Sequence, residues 1–121
     1  MATPEILRAA MHSYLDAVNS GGGKAVLELF AENGTVEDPV GSPPVLARDF
    51  FATPFEEVHV QLVSPVSTSL DCSAAAMAFT LVATIEGEQL RINVVDVMQF
   101  DEAGLITSMR AHWGPSDATP I

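Results

Sequence analysis

Apolar residues recur at helical spacing near the start of the chain. Ile6, Leu7, Ala10, Met11, Tyr14, Ala17 and Val18 fall on one face of a single helix. Thr3 suits its N-cap, Pro4 its first turn, and Gly21-Gly22-Gly23 its end. Tyr14, the only tyrosine, therefore lies on the buried side. A second short helix is expected from about Lys24 to Phe30, then a brief strand near Thr35 to Glu37. Asp38 stands at the end of that strand, just before Pro39, and Pro44 to Phe51 reads as a third short helix.

From Val58 the period changes to two. Val58, Val60 and Leu62 alternate with His59 and Gln61. Ala74 to Ile85, Gln89 to Phe100 and Leu105 to Trp113 read as further strands. Glu86-Gly87-Glu88 and Asp101-Glu102-Ala103-Gly104 are the turns between them. Such tight turns imply antiparallel pairing. Pro115 to Ile121 reads as a loose tail. Helices first and strands later predict an α+β domain spanning residues 1–121, with helices covering one face of a curved antiparallel sheet.

One position breaks the apolar pattern. Leu90, Ile92, Val94, Asp96, Met98 and Phe100 share a strand face, and all but Asp96 are apolar. Met77, Phe79, Leu81, Ala83 and Ile85 form one neighbouring wall. Leu105, Thr107, Met109, Ala111 and Trp113 form the other. Desolvation raises a buried carboxyl pKa, so Asp96 is expected to be a protonated hydrogen-bond donor at neutral pH. The competing reading is a carboxylate satisfied by backbone N–H groups or an arginine, although Arg91 and Arg110 project from the opposite face. Tyr14 also reads as a core tyrosine with a backbone partner, Asp38 as a turn or cap residue, and Trp113 as a core residue.

Charge narrows the partners. The 121 residues carry 16 acidic and 5 basic side chains, for a net charge of −11. The cations do not cluster, so nucleic acid and polyanionic substrates are poor partners. A neutral apolar ligand fits better, because 48% of the residues are hydrophobic. Cys72 is the only cysteine, which rules out an intrachain disulfide and agrees with a cytoplasmic location. No apolar run approaches the roughly 20 residues of a membrane span. His12, His59 and His112 lack metal-ligand spacing, and no phosphate loop, GxSxG elbow or zinc motif is present.

Several stretches in order resemble the bacterial ketosteroid isomerase family. They are Thr3-Pro4-Glu5, Tyr14, Leu29-Phe30-Ala31, Thr35-Val36-Glu37-Asp38-Pro39-Val40-Gly41-Ser42, Ala78-Phe79-Thr80, Asp96, Ser108-Met109-Arg110-Ala111 and Trp113-Gly114. The segment Pro43 to Ala47 looks shorter than is usual there. Phe51 stands where some relatives carry a tyrosine bonded to the catalytic phenol. The resemblance implies a cone-like fold of the nuclear-transport-factor type and a homodimer formed through the outer sheet face, here Gln61, Asn93, Val95 and Val97. It also implies conversion of 3-oxo-Δ5-steroids to their conjugated Δ4 isomers through a dienolate, without metal or organic cofactor. Asp38 matches the general base, Tyr14 the first oxyanion donor and Asp96 the second, protonated one; this family is an established case of such a neutral aspartic acid. Met77, Phe79, Val94, Met109 and Trp113 would contact the steroid. A polyketide cyclase or hydrolase on the same fold, and a non-catalytic steroid- or lipid-binding module, are the competing readings.

Overall fold

The computed structural model describes residues 2–53 and 57–121. Helix α1 runs from Pro4 to Asn19, and the Thr3 hydroxyl caps it by accepting from the Ile6 N–H at 3.2 Å. Its buried stripe is Leu7, Met11, Tyr14, Leu15, Ala17 and Val18. Ile6 does not belong to that stripe and is 43% exposed. Set about 100° from Leu7 round the helix axis, it lies on the flank of the stripe. Leu15 takes the place expected of it. Gly21, Gly22 and Gly23 all have positive φ, which turns the chain sharply after the helix.

Helix α2 is a single turn, Lys24–Leu27, because Phe30 already begins strand β1, Phe30–Glu37. Gly34 marks a register shift in β1. A Cβ there would lie 2.9 Å from the Phe30 ring and 3.0 Å from the Ile106 carbonyl oxygen. The expected third helix divides into strand β2, Val45–Leu46, and helix α3, Ala47–Phe50, since Val45 pairs with Val36.

The remaining strands are β3 (Val58–Leu62), β4 (Ser67–Thr68), β5 (Ala74–Ile85), β6 (Glu88–Phe100), β7 (Ile106–His112) and β8 (Ala118–Pro120). The main sheet order is β2-β1-β7-β6-β5-β3. Tight turns make β5, β6 and β7 antiparallel neighbours, as expected. Glu86 and Gly87 join β5 to β6 with φ of 53° and 79°, the sign that a primed hairpin turn needs.

The sheet is mixed, however: β1 lies parallel to β7. These strands come from opposite ends of the chain, so no hairpin fixes their direction. The tail is also not loose. A 3-10 turn at Pro115–Asp117, closed by the Gly114 N–H donating to Asp117 Oδ2 at 2.8 Å, leads into β8. There β8 pairs with Leu90–Ile92, a stretch of β6 beyond its pairing with β7. This satisfies backbone groups that an edge would leave open.

Helix α1 packs against β3, β4 and β5, and the core lies between helix and sheet. A register shift at Gln99/Phe100 buries Ile106 instead of Leu105, which is 36% exposed. No helix among the described residues is long and apolar enough to cross a membrane.

Candidate active site

Parallel pairing brings the ends of β1 and β7 together. Asp38 follows Glu37, the last residue of β1, and Trp113 follows His112, the last of β7. The Trp113 Nε1–H donates to Asp38 Oδ1 at 2.6 Å. The connection is held on either side. Arg110 Nε meets Glu37 Oε2 at 2.8 Å, and the Val40 N–H donates to the Ala111 carbonyl at 2.8 Å. Asp38-Pro39 is a cis peptide.

Asp38, Phe50, Leu81, Ile85, Ile92, Val94 and Trp113 line a cavity of about 250 Å³. Among the described lining residues, Asp38 carries the only charge. Burial raises the Asp38 pKa above the ordinary carboxyl value, and the Trp113 hydrogen bond acts in the opposite direction.

Asp96 keeps the register expected of it. It faces inward from β6, opposite Met77 of β5 and Ala111 of β7, and is fully buried. It is the only buried charged-type side chain among the described residues. Neither carboxyl oxygen has a hydrogen-bond partner there. Burial, then the Asp38 charge, push its pKa well above the usual carboxylate range. An uncompensated buried carboxylate is costly, so the neutral acid is the stable form. The arginine alternative fails, since Arg91 and Arg110 both point to solvent.

Tyr14 is likewise buried. Its phenol pKa is raised well above normal by burial, then by Asp96, then by Asp38. The Asp38 charge thus bears on both buried groups. The phenol ring meets Phe51 edge-on at 6.4 Å.

Of the five residues expected to contact the steroid, two line the cavity. Val94 and Trp113 line the cavity, whereas Met77, Phe79 and Met109 are buried in the core and are not among its lining residues. Tyr14 and Asp96 are also absent from the lining. Leu81, Ile85 and Ile92 belong to the period-two rows that marked the wall. Phe50 carried no such signal; it enters through α3 and stacks edge-on with Phe51 at 4.9 Å.

The SnoaL-like domain model matches residues 11–109. A steroid Δ-isomerase of Nocardioides simplex is 38% identical over 117 residues, covering 92% of each chain. Epoxide hydrolase LasB of Streptomyces lasalocidi is 30% identical over 115 residues, which make up 88% of this chain and 40% of that protein. Among solved structures, SalBIII superposes with a TM-score of 0.87 at 27% identity over the full length of both chains. It is an epoxide hydrolase/cyclase-like enzyme of pyran ring formation in the polyether salinomycin. The fold therefore hosts more than one chemistry. With that coverage and identity, the chain belongs to the SnoaL-like, ketosteroid isomerase-like family.

Proposed function

We propose that this protein is a steroid Δ-isomerase that moves a double bond into conjugation with a 3-ketone. The observation that carries this reading is Asp96, a fully buried carboxyl with no hydrogen-bond partner among the described residues, on the inward row of the strand whose Val94 and Ile92 line the cavity with Asp38. The 38% identical steroid Δ-isomerase supports it.

The chemistry requires one ionised and one neutral carboxyl at the same pH. Asp38, held by Trp113, is the ionised one. It takes a proton from the carbon between the ketone and the double bond. Electrons move into the former carbonyl, giving a dienolate. Tyr14 O–H and protonated Asp96 donate to the oxygen that gains the charge. Asp38 then returns the proton to the far carbon of the former double bond, and the carbonyl re-forms. Both donors act where charge develops, which is where such groups lower a barrier most. No step consumes an oxidant or external acid.

The test is ultraviolet absorbance on mixing with a 3-oxo-Δ5-steroid, beside Asp38→Asn. Growth of the conjugated product, lost in the variant, supports both reaction and base. Absence of conjugation by folded wild-type protein rejects the reading.

A second reading follows from LasB and SalBIII. A neutral Asp96 and an ionised Asp38 also make an acid–base pair for opening an epoxide with a hydroxyl group. The cavity lining contains no arginine for an Asp-Arg-Asp water-activating set. Product analysis with an epoxy alcohol distinguishes intramolecular ring closure from double-bond migration. We also assign the outer sheet face, where Val95 is 43% exposed beside Val97, as a homodimer contact. Light scattering of wild type and Val95→Glu tests it.

A further inference from the structure

The inward row of β6 does not end at the cavity's apolar wall. Starting from Asp96 it runs through Val94, Ile92 and Leu90 to Glu88, every second residue on one face. On the facing strand, Leu81 pairs with Ile92 and Ile85 pairs with Glu88. Directly paired side chains project from the same face about 5 Å apart. Ile85 lines the cavity, so the Glu88 side chain emerges beside the far end of that lining, on the same sheet face. Four residues of extended strand, about 13 Å, separate Asp96 from Ile92, and as many again separate Ile92 from Glu88. A four-ring nucleus with its ketone at Asp96 would span the first interval. A side chain on its last ring would enter the second.

That outer interval is chemically one-sided. Leu81, Ile85 and Ile92 are apolar, and the described lining residues offer no cation to balance a negative ligand. Glu88 is exposed and has no ion-pair partner among the described residues. An anionic group arriving beside Ile85 would meet like charge and apolar walls, with nothing to compensate it.

We propose that Glu88, acting with the Leu81–Ile85–Ile92 wall, is a specificity-determining residue that excludes steroids bearing an anionic side chain and admits their neutral counterparts. This deepens the isomerase reading and rests on its placement of the ketone at Asp96. The substrate class is accordingly a neutral steroid ketone, and a step that unmasks a side-chain carboxylate would have to follow this reaction.

The experiment titrates two ligands that need not react: a 3-oxo-Δ4-steroid with a side-chain carboxylate, and its methyl ester. Quenching of Trp113, the only tryptophan and a lining residue, reports occupancy. The ester is expected to bind more tightly, with the gap narrowing about fivefold in Glu88→Gln, the scale of one like-charge contact in water. Added salt narrows the gap in the wild type in the same direction. Glu102→Gln, which removes a carboxylate from the opposite hairpin, leaves the ratio unchanged. Equal binding of acid and ester by the wild type overturns the proposal. So does a gap that survives Glu88→Gln, or one that closes equally in Glu102→Gln. Should neither ligand quench, both the subsite and the steroid reading fall. Quenching that shows the Glu88-dependent gap, without turnover of the Δ5 ketone, removes the isomerase reading and leaves the subsite standing.

Discussion

The Trp113 indole donates to Asp38 Oδ1 across 2.6 Å, linking the residue after β7 to the residue after β1. This bond fixes the proposed base at the cavity wall and opposes the effect of burial on its pKa. An N–H bond to a carboxylate favours the charged form, which is the form that accepts a proton.

Trp113→Phe keeps an aromatic wall but removes the donor. The Asp38 pKa should then rise further, because burial remains without its opponent. The acid limb of the kcat/KM profile should move to higher pH, and kcat should fall more than KM changes. An unmoved acid limb would show that the indole does not tune the base.

Asp38→Asn preserves an oxygen that can accept from Trp113 while deleting the base. General-base catalysis is typically worth about 10²–10⁴-fold, and turnover should drop on that scale. Equilibrium binding of a product-like steroid should persist. Loss of binding together with turnover would mean that the substitution damages the cavity instead of the chemistry.

Much of this arrangement is legible in the sequence. The limits of β5, Ala74 and Ile85, follow from the sequence, because alternation and the Glu86-Gly87 turn bound them closely. The face of Asp96 followed from the same alternation, and the burial of Tyr14 from the α1 stripe. The meeting of Asp38 with Trp113 was not legible. It depends on β1 lying parallel to β7, and local turn signals carry no information about strands so far apart in sequence as Thr35 and Ser108. The order of the tail is hidden for a related reason. Its three-residue strand is stabilised by open backbone groups of β6, which composition does not reveal.

Tyr14→Phe separates stability from catalysis. Phenylalanine fills the same buried site and keeps the edge-on contact with Phe51, so the thermal midpoint should change little. Loss of one oxyanion donor should still slow turnover about 10²–10³-fold. A lower midpoint with undiminished kcat would assign the hydroxyl a structural role.

Asn19 offers a test of the fold away from the cavity. Its side-chain amide donates to the Val60 carbonyl at 2.9 Å and accepts from the Val60 N–H at 2.7 Å. It thereby supplies a missing strand partner to β3, which lies at the sheet edge. Asn19→Ala would leave both groups of a buried residue unpaired, at a cost of about 1–3 kcal/mol each at most. A clear fall in the urea midpoint is expected. Protection of the Val60 amide against hydrogen exchange should fall with it.

Asp96 also makes stability depend on pH, with a sign opposite to that of a salt-bridged carboxylate. Its pKa in the folded chain lies well above the unfolded reference of 3.8. Between those two values the native state holds a proton that the unfolded state has released. Stability from this group is therefore full below the unfolded pKa and declines as pH rises toward the folded one. The slope approaches about 1.4 kcal/mol per pH unit over that window. Asp38, also raised, adds a decline of the same sign. Asp96→Asn keeps the shape and a donor but cannot ionise, so its share of the slope should vanish. Chemical denaturation of both proteins from about pH 4 to about pH 8 measures the difference. The variant should gain on the wild type as pH rises. Parallel curves would mean that Asp96 titrates alike in both states, and a neutral donor at that position would then be untenable.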